Sequence, residues 1–265
     1  MTLSDPDRAA LIYARGLLEH PSLAAKIASL VGTPVEKLFD LLPDQWSETV
    51  SRSTRSALQK ALGIALASME DRRGLPSSNA LHKVVVAATG AGGGAFGFAA
   101  LPIELPVSTT VMLRSIADIA RSEGERLTSL DTQLACLEVF ALGGRPRGDD
   151  ATETGYFAVR AALSRAVAEA ARHITERGLA EEGAPAIVRL IAQIAARFGI
   201  VVSEKAAAQA APILGAAGGA LVNLIFIDHF QDMARGHFIV RRLERTYGAA
   251  TVRAEYDGLT GPGAG

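Results

Sequence analysis

Two long runs without a single charge stand out against the amphipathic remainder of the chain, Val84 to Ile103 and Ala206 to Ile227. The first follows Lys83 and ends at Glu104; the second follows Lys205 and ends at Asp228. Each has the roughly 20 residues that a bilayer-spanning helix needs. Both are also rich in Gly and Ala, the composition of helices that pack closely. Gly90-x-x-x-Gly94, Gly93-x-x-x-Gly97 and Gly215-x-x-x-Gly219 repeat small residues at one-turn spacing, so another backbone can come near. Gly and Ala contribute little transfer energy, and Pro212 interrupts the second run. The expectation is a water-soluble protein, not an integral one.

Elsewhere the apolar positions recur with the helical period. Ser4 or Asp5 can cap a first helix carrying Leu11, Leu17 and Leu18. Short helices follow at Pro21 to Leu30 and Pro34 to Leu42, then a long one near Trp46 to Glu70. Gly and Pro punctuate 71–79. A helix is expected from about Pro106 to Ser122 and another from Leu130 to Leu142. Beyond a loop at 145–154 lie Gly155 to Arg177 and, after a loop at 179–184, Pro185 to Phe198, broken at Gly199. The last helix should stop at Tyr247-Gly248. No strand signal competes. The fold class is all-α: a compact multi-helix domain with two Gly/Ala-rich helical hairpins at its centre. Residues 1–54 read as a helical extension, 55–248 as the main domain and 249–265 as a disordered tail.

Composition narrows the function. The chain has 265 residues, 49% hydrophobic but only 5% aromatic, so its core is small and aliphatic. Lys plus Arg is 27 against 28 for Asp plus Glu, which gives nucleic acid nothing to hold. A lone cysteine, Cys136, suits a reducing compartment, and the N-terminus lacks the pattern of a secretory signal. Cytoplasm is the expected location, with the inner face of a membrane as the place of peripheral contact.

Catalytic signatures are missing. H-E-x-x-H, G-x-S-x-G and a glycine-rich phosphate loop with G-K-[ST] do not occur. Cys136, among Ala135, Leu137, Val139 and Phe140, reads as a buried and inert thiol. What remains is a polar constellation inside apolar surroundings: Glu104, Arg114, Asp118, Glu138, Asp228, His229, Asp232 and Arg235. A carboxylate in such a setting must be paired or metal-bound. Glu104, Glu138, His229 and Asp232 have the ligand types of a divalent metal centre in a helical bundle. The weightier alternative is a buried ion-pair network with Arg114, Arg121 or Arg235. The basic end of the last helix, Arg235, Arg241, Arg242 and Arg245, either meets an anionic membrane surface or forms a solvated face with intrahelical pairs such as Arg241 to Glu244.

Three phrases resemble the EcsC protein family. They are Ala99-Ala100-Leu101-Pro102-Ile103-Glu104-Leu105-Pro106 continuing through Arg114-Ser115-Ile116-Ala117, then Cys136-Leu137-Glu138-Val139-Phe140-Ala141-Leu142-Gly143-Gly144, and Asp228-His229-Phe230-Gln231-Asp232 with Gly236-His237-Phe238. The resemblance spans about 55–248. It implies an accessory protein, since the family is named for a bacterial protein associated with an ABC transporter locus. A membrane-protein partner is implied with it. Some members carry a peptidase label, which supplies the alternative of a metal-dependent hydrolase. The two readings differ physically: a hydrolase needs an open polar cavity at the constellation, whereas an accessory protein needs a sealed network and an exposed apolar or basic patch.

Overall fold

The computed structural model describes residues 2–19, 23–68, 97–144, 155–178, 184–210 and 215–259. Ten α-helices and no strand occur among them, so the fold is all-α as expected. The helices are α1 (Asp5–Glu19), α2 (Leu23–Val31), α3 (Val35–Leu38), α4 (Trp46–Ser68), α5 (Leu101–Ser122), α6 (Leu130–Leu142), α7 (Tyr156–Arg177), α8 (Pro185–Gln209), α9 (Gly215–Tyr247) and α10 (Ala249–Gly258). The glycine repeats of 90–94, the breaks and loops at 71–79, 145–154 and 179–183, and Pro212 lie outside the described residues.

The bundle is built round α6, α8 and α9. Almost every side chain of α6 is buried, as expected for a helix that is apolar on all sides. Phe140 of α6, Phe198 of α8 and Phe226 and Phe230 of α9 stack tilted or edge to face, with centroids 5.0–6.1 Å apart. Two glycines at the end of α6 let the chain pass this cluster. A Cβ on Gly143 would sit 2.8 Å from the Phe230 ring, and one on Gly144 would sit 2.0 Å from the Arg197 carbonyl oxygen. Round this centre, α4 packs on α5 and α8, α7 on α6 and α8, and α1 on α9.

Several boundaries differ from those the pattern suggests. The helix expected from Pro106 begins at Leu101. Pro102 falls in its first turn, where its missing N–H leaves nothing unpaired, and Pro106 gives up one bond, to the carbonyl of exposed Pro102. Gly199 does not break α8, because buried Phe198, Val201 and Val202 hold the helix through it. Of the residues read as a tail, 260–265 lie outside the described residues and 249–258 form α10, which seats Val252 and Tyr256 in the core and hydrogen-bonds the Tyr256 hydroxyl to Glu19 at 2.9 Å. Gly248, at φ +86°, makes the turn into it.

The N-terminal segment is no appendage. Ser4 caps α1 through its side chain, as expected, with Asp7 N to Ser4 Oγ at 3.4 Å. Asp7 then takes the Tyr247 hydroxyl at 2.7 Å, and α1 crosses α9 at Gly236, where a Cβ would lie 3.0 Å from the Ala14 carbonyl. The 54/55 boundary falls within the continuous α4.

Among the described residues, α8 alone is long and apolar enough to cross a membrane. The run from Ala206 to Ile227, by contrast, is shared between two helices, since α8 ends at Gln209 and α9 starts at Gly215.

Candidate functional site

Glu104, in the first turn of α5, is 6% exposed. Three donors converge on it. Lys205 Nζ donates to Oε1 at 2.6 Å, Asn223 Nδ2 to Oε1 at 2.8 Å and Gln209 Nε2 to Oε2 at 3.0 Å. Lys205 and Gln209 are one turn apart on α8 and Asn223 is on α9, so one carboxylate ties three helices together. Lys205 is fully buried, and its ammonium also lies 4.7 Å from the centroid of the Phe226 ring. Burial pushes the Glu104 carboxyl up, yet the Lys205 charge and the three hydrogen bonds hold it below its ordinary value. Among the described residues, Glu104, Lys205, Gln209 and Asn223 are all buried, and two clefts, of about 270 and 250 Å³, lie against α10.

The other side chains singled out from the sequence do not gather round Glu104. His229 is buried on α9 with its Nε2 at 3.0 Å from the Gly143 carbonyl oxygen, capping the end of α6. Asp232 pairs with Lys26 of α2 at 3.3 Å and with Arg235, one turn on, at 3.4 Å. Asp118 pairs with Arg121 within α5 at 3.2 Å, Arg114 is exposed, and Asp228 is half-buried on α9. Glu138 faces Arg160 and Arg241, and burial pushes its carboxyl up to about 7. Thus the four proposed metal ligands, Glu104, Glu138, His229 and Asp232, each answer to a different neighbour. Among the described residues no three His, Cys, Asp or Glu side chains come together as a metal site.

Sequence reasoning missed a second polar knot. Arg160 of α7 holds Glu244 of α9 through two bonds, 2.8 and 3.0 Å, and donates to the Tyr156 hydroxyl at 3.2 Å. The same phenol oxygen is hydrogen-bonded to Nδ1 of His237, 2.9 Å away. His237 is wholly buried, and burial drives its imidazole well below the ordinary value, so the ring is neutral. Apart from Arg235, which pairs with Asp232 along α9, the basic end of α9 is engaged with carboxylates outside its own helix. Arg241 bonds Glu125 at 2.8 Å and Asp131 at 2.6 Å, Arg242 bonds Glu123 at 2.9 Å, and Arg245 bonds Glu125. Arg241 therefore leaves Glu244 to Arg160. Cys136 is fully buried and its thiol is pushed far up by burial, which makes it inert.

Against known families, the model of the EcsC protein family matches residues 16–243. The chain belongs to the EcsC protein family. The match begins near the end of α1, so it takes in α2, α3 and the start of α4 ahead of residue 55. Comparison with curated proteins returns no match, and comparison with solved structures returns none either.

Proposed function

We propose that this EcsC protein is a non-catalytic accessory protein of the cytoplasmic face of a membrane, and that it rests on the bilayer through the end of the bundle around Ile103 and Val107. One observation carries the reading. Ile103 is 79% and Val107 is 40% exposed, one turn apart on α5, while Glu104 between them is sealed against Lys205. Leu221, two residues from Asn223 on α9, is also 46% exposed. Ile103 closes the first uncharged run beside Glu104, so an aliphatic side chain is offered where the neighbouring charge is already neutralised by Lys205. Such a surface suits lipid tails better than water.

The size of the effect fits reversible contact. Burying a Val or Ile side chain gains about 1.5–3 kcal/mol, so two or three of them give a peripheral association and not an anchor. The arginines of α9 face carboxylates already, which leaves little charge for anionic headgroups. A partner in the membrane, of the ABC transporter kind implied by the resemblance, would be met from that position. The hydrolase reading requires an open polar cavity at Glu104, and the burial of Glu104, Lys205, Gln209 and Asn223 among the described residues favours the accessory reading instead. Flotation of the purified chain with vesicles tests the proposal. The chain should rise with neutral and with anionic phospholipid to the same extent and be released by a carbonate wash. A chain that stays at the bottom of the gradient in both cases contradicts it.

A further inference from the structure

The 250 Å³ cleft is lined by residues of α1, α7 and α10, and two of its side chains are guanidinium groups laid over aromatic rings. Arg15 of α1 has its Cζ 5.5 Å from the centroid of the Tyr256 ring, and Arg253 of α10 has its Cζ 4.4 Å from that of Phe157. The two rings meet edge to face at 5.1 Å. Contact thus runs in one series from Arg15 through Tyr256 and Phe157 to Arg253. Tyr156 backs the series: it is 4% exposed, packs on both rings and has its hydroxyl tied to Arg160 and His237. A guanidinium held through its face on a ring keeps the N–H groups of its edge for hydrogen bonds.

The two arginines are not equally engaged. Arg253 Nε donates to Asp257, one turn on in α10, at 2.6 Å, and among the described residues its Nη groups make no hydrogen bond. Arg15 forms no ion pair among the described residues. Glu19 lies one turn further along α1, the spacing at which a pair with Arg15 is expected, yet its carboxylate accepts the Tyr256 hydroxyl at 2.9 Å. The whole fork of Arg15 and the Nη groups of Arg253 are therefore open to a ligand in the cleft. Glu19 and Asp257 line it as well, so a singly charged anion suits it better than a doubly charged one.

We propose that this cleft is a binding site for a small soluble monocarboxylate, held by the fork of Arg15 with Arg253 as the second cation. A carboxylate matches the planar arginine fork with two parallel hydrogen bonds. Volume agrees, since about 250 Å³ takes a compact molecule and not a nucleotide or a chain segment. Gly155 leaves its side of the cleft clear, with nothing within 4 Å of its Cβ position. The proposal does not depend on the membrane reading.

Nitrogen-15 spectra of the full chain test it, with acetate and benzoate as probes at constant ionic strength. In the wild type the Nε–H signal of Arg15 should shift and saturate with a Kd below about 10 mM for at least one of them. This measurement needs no variant. Arg15→Gln, followed at the Arg253 signal, should weaken binding about tenfold. Arg8→Gln, which removes a cation from the 270 Å³ cleft, should leave the Kd unchanged. No saturable shift with either probe overturns the site, and so does a weakening in Arg15→Gln of less than about threefold. An equal loss in Arg15→Gln and Arg8→Gln would reduce the effect to general surface charge and overturns it too.

Discussion

Lys205 and Glu104 form a salt bridge of 2.6 Å across α8 and α5, with neither charge open to water. Removing one partner leaves the other buried without compensation, which typically costs about 3–5 kcal/mol. Glu104→Gln and Lys205→Met should each lose about that much in urea denaturation, while the double variant should lose clearly less than the sum. Additive losses would mean that the two charges do not support each other.

Acid should unfold the protein through its depressed carboxylates. Glu104 and Glu125 lie below their ordinary values in the fold, each lifted by burial but drawn down further by its partners. A depressed folded value stabilises above the unfolded value of about 4.5, and that contribution is lost as the pH falls through the folded one. Glu125→Gln should therefore melt with a shallower fall below about pH 4.5 than the wild type. A fall as steep in the variant would remove Glu125 from the account.

Two glycines, one just past the end of α6 and one inside α8, should respond to alanine with opposite sign. Gly144 meets the Arg197 carbonyl, where a Cβ would be 2.0 Å away, and the backbone must shift. Gly144→Ala should lose about 1–3 kcal/mol. Gly199, in the middle of α8, has nothing within 4 Å of its Cβ position. There Ala only relieves the helix of a flexible residue, so Gly199→Ala should gain about 0.5–1 kcal/mol. Calorimetric melts showing both variants shifted the same way would contradict the packing described at the end of α6.

Much of this was legible before any coordinates. The helical period located most elements, and Cys136 among apolar neighbours read correctly as a buried thiol. The partner of Glu104 was also visible, though it was not read as one. Glu104 and Lys205 are charges of opposite sign at the edges of the two uncharged runs, and an apolar environment drives such a pair together. Arginines drew attention instead, because Arg114 and Arg235 are near in sequence to the carboxylates, whereas Lys205 is 101 residues from Glu104. Gln209 and Asn223 carry no charge and gave no signal. Tyr156, His237 and Glu244 come together only through the crossing of α7 and α9, which no local pattern encodes. α10 was missed for a similar reason: its buried side chains, Val252 and Tyr256, are too few to show a period, and packing on α1 and α9 makes the helix.

The membrane-facing assignment of Ile103 is tested most directly by a label placed there. Cys136 is buried and unreactive, so Ile103→Cys offers one site for a polarity-sensitive thiol dye, and Glu176→Cys, exposed on α7, offers a control. On adding neutral phospholipid vesicles, the dye at position 103 should shift to the blue and gain intensity while the dye at 176 stays unchanged. An unchanged spectrum at 103, or the same shift at both positions, would contradict the account.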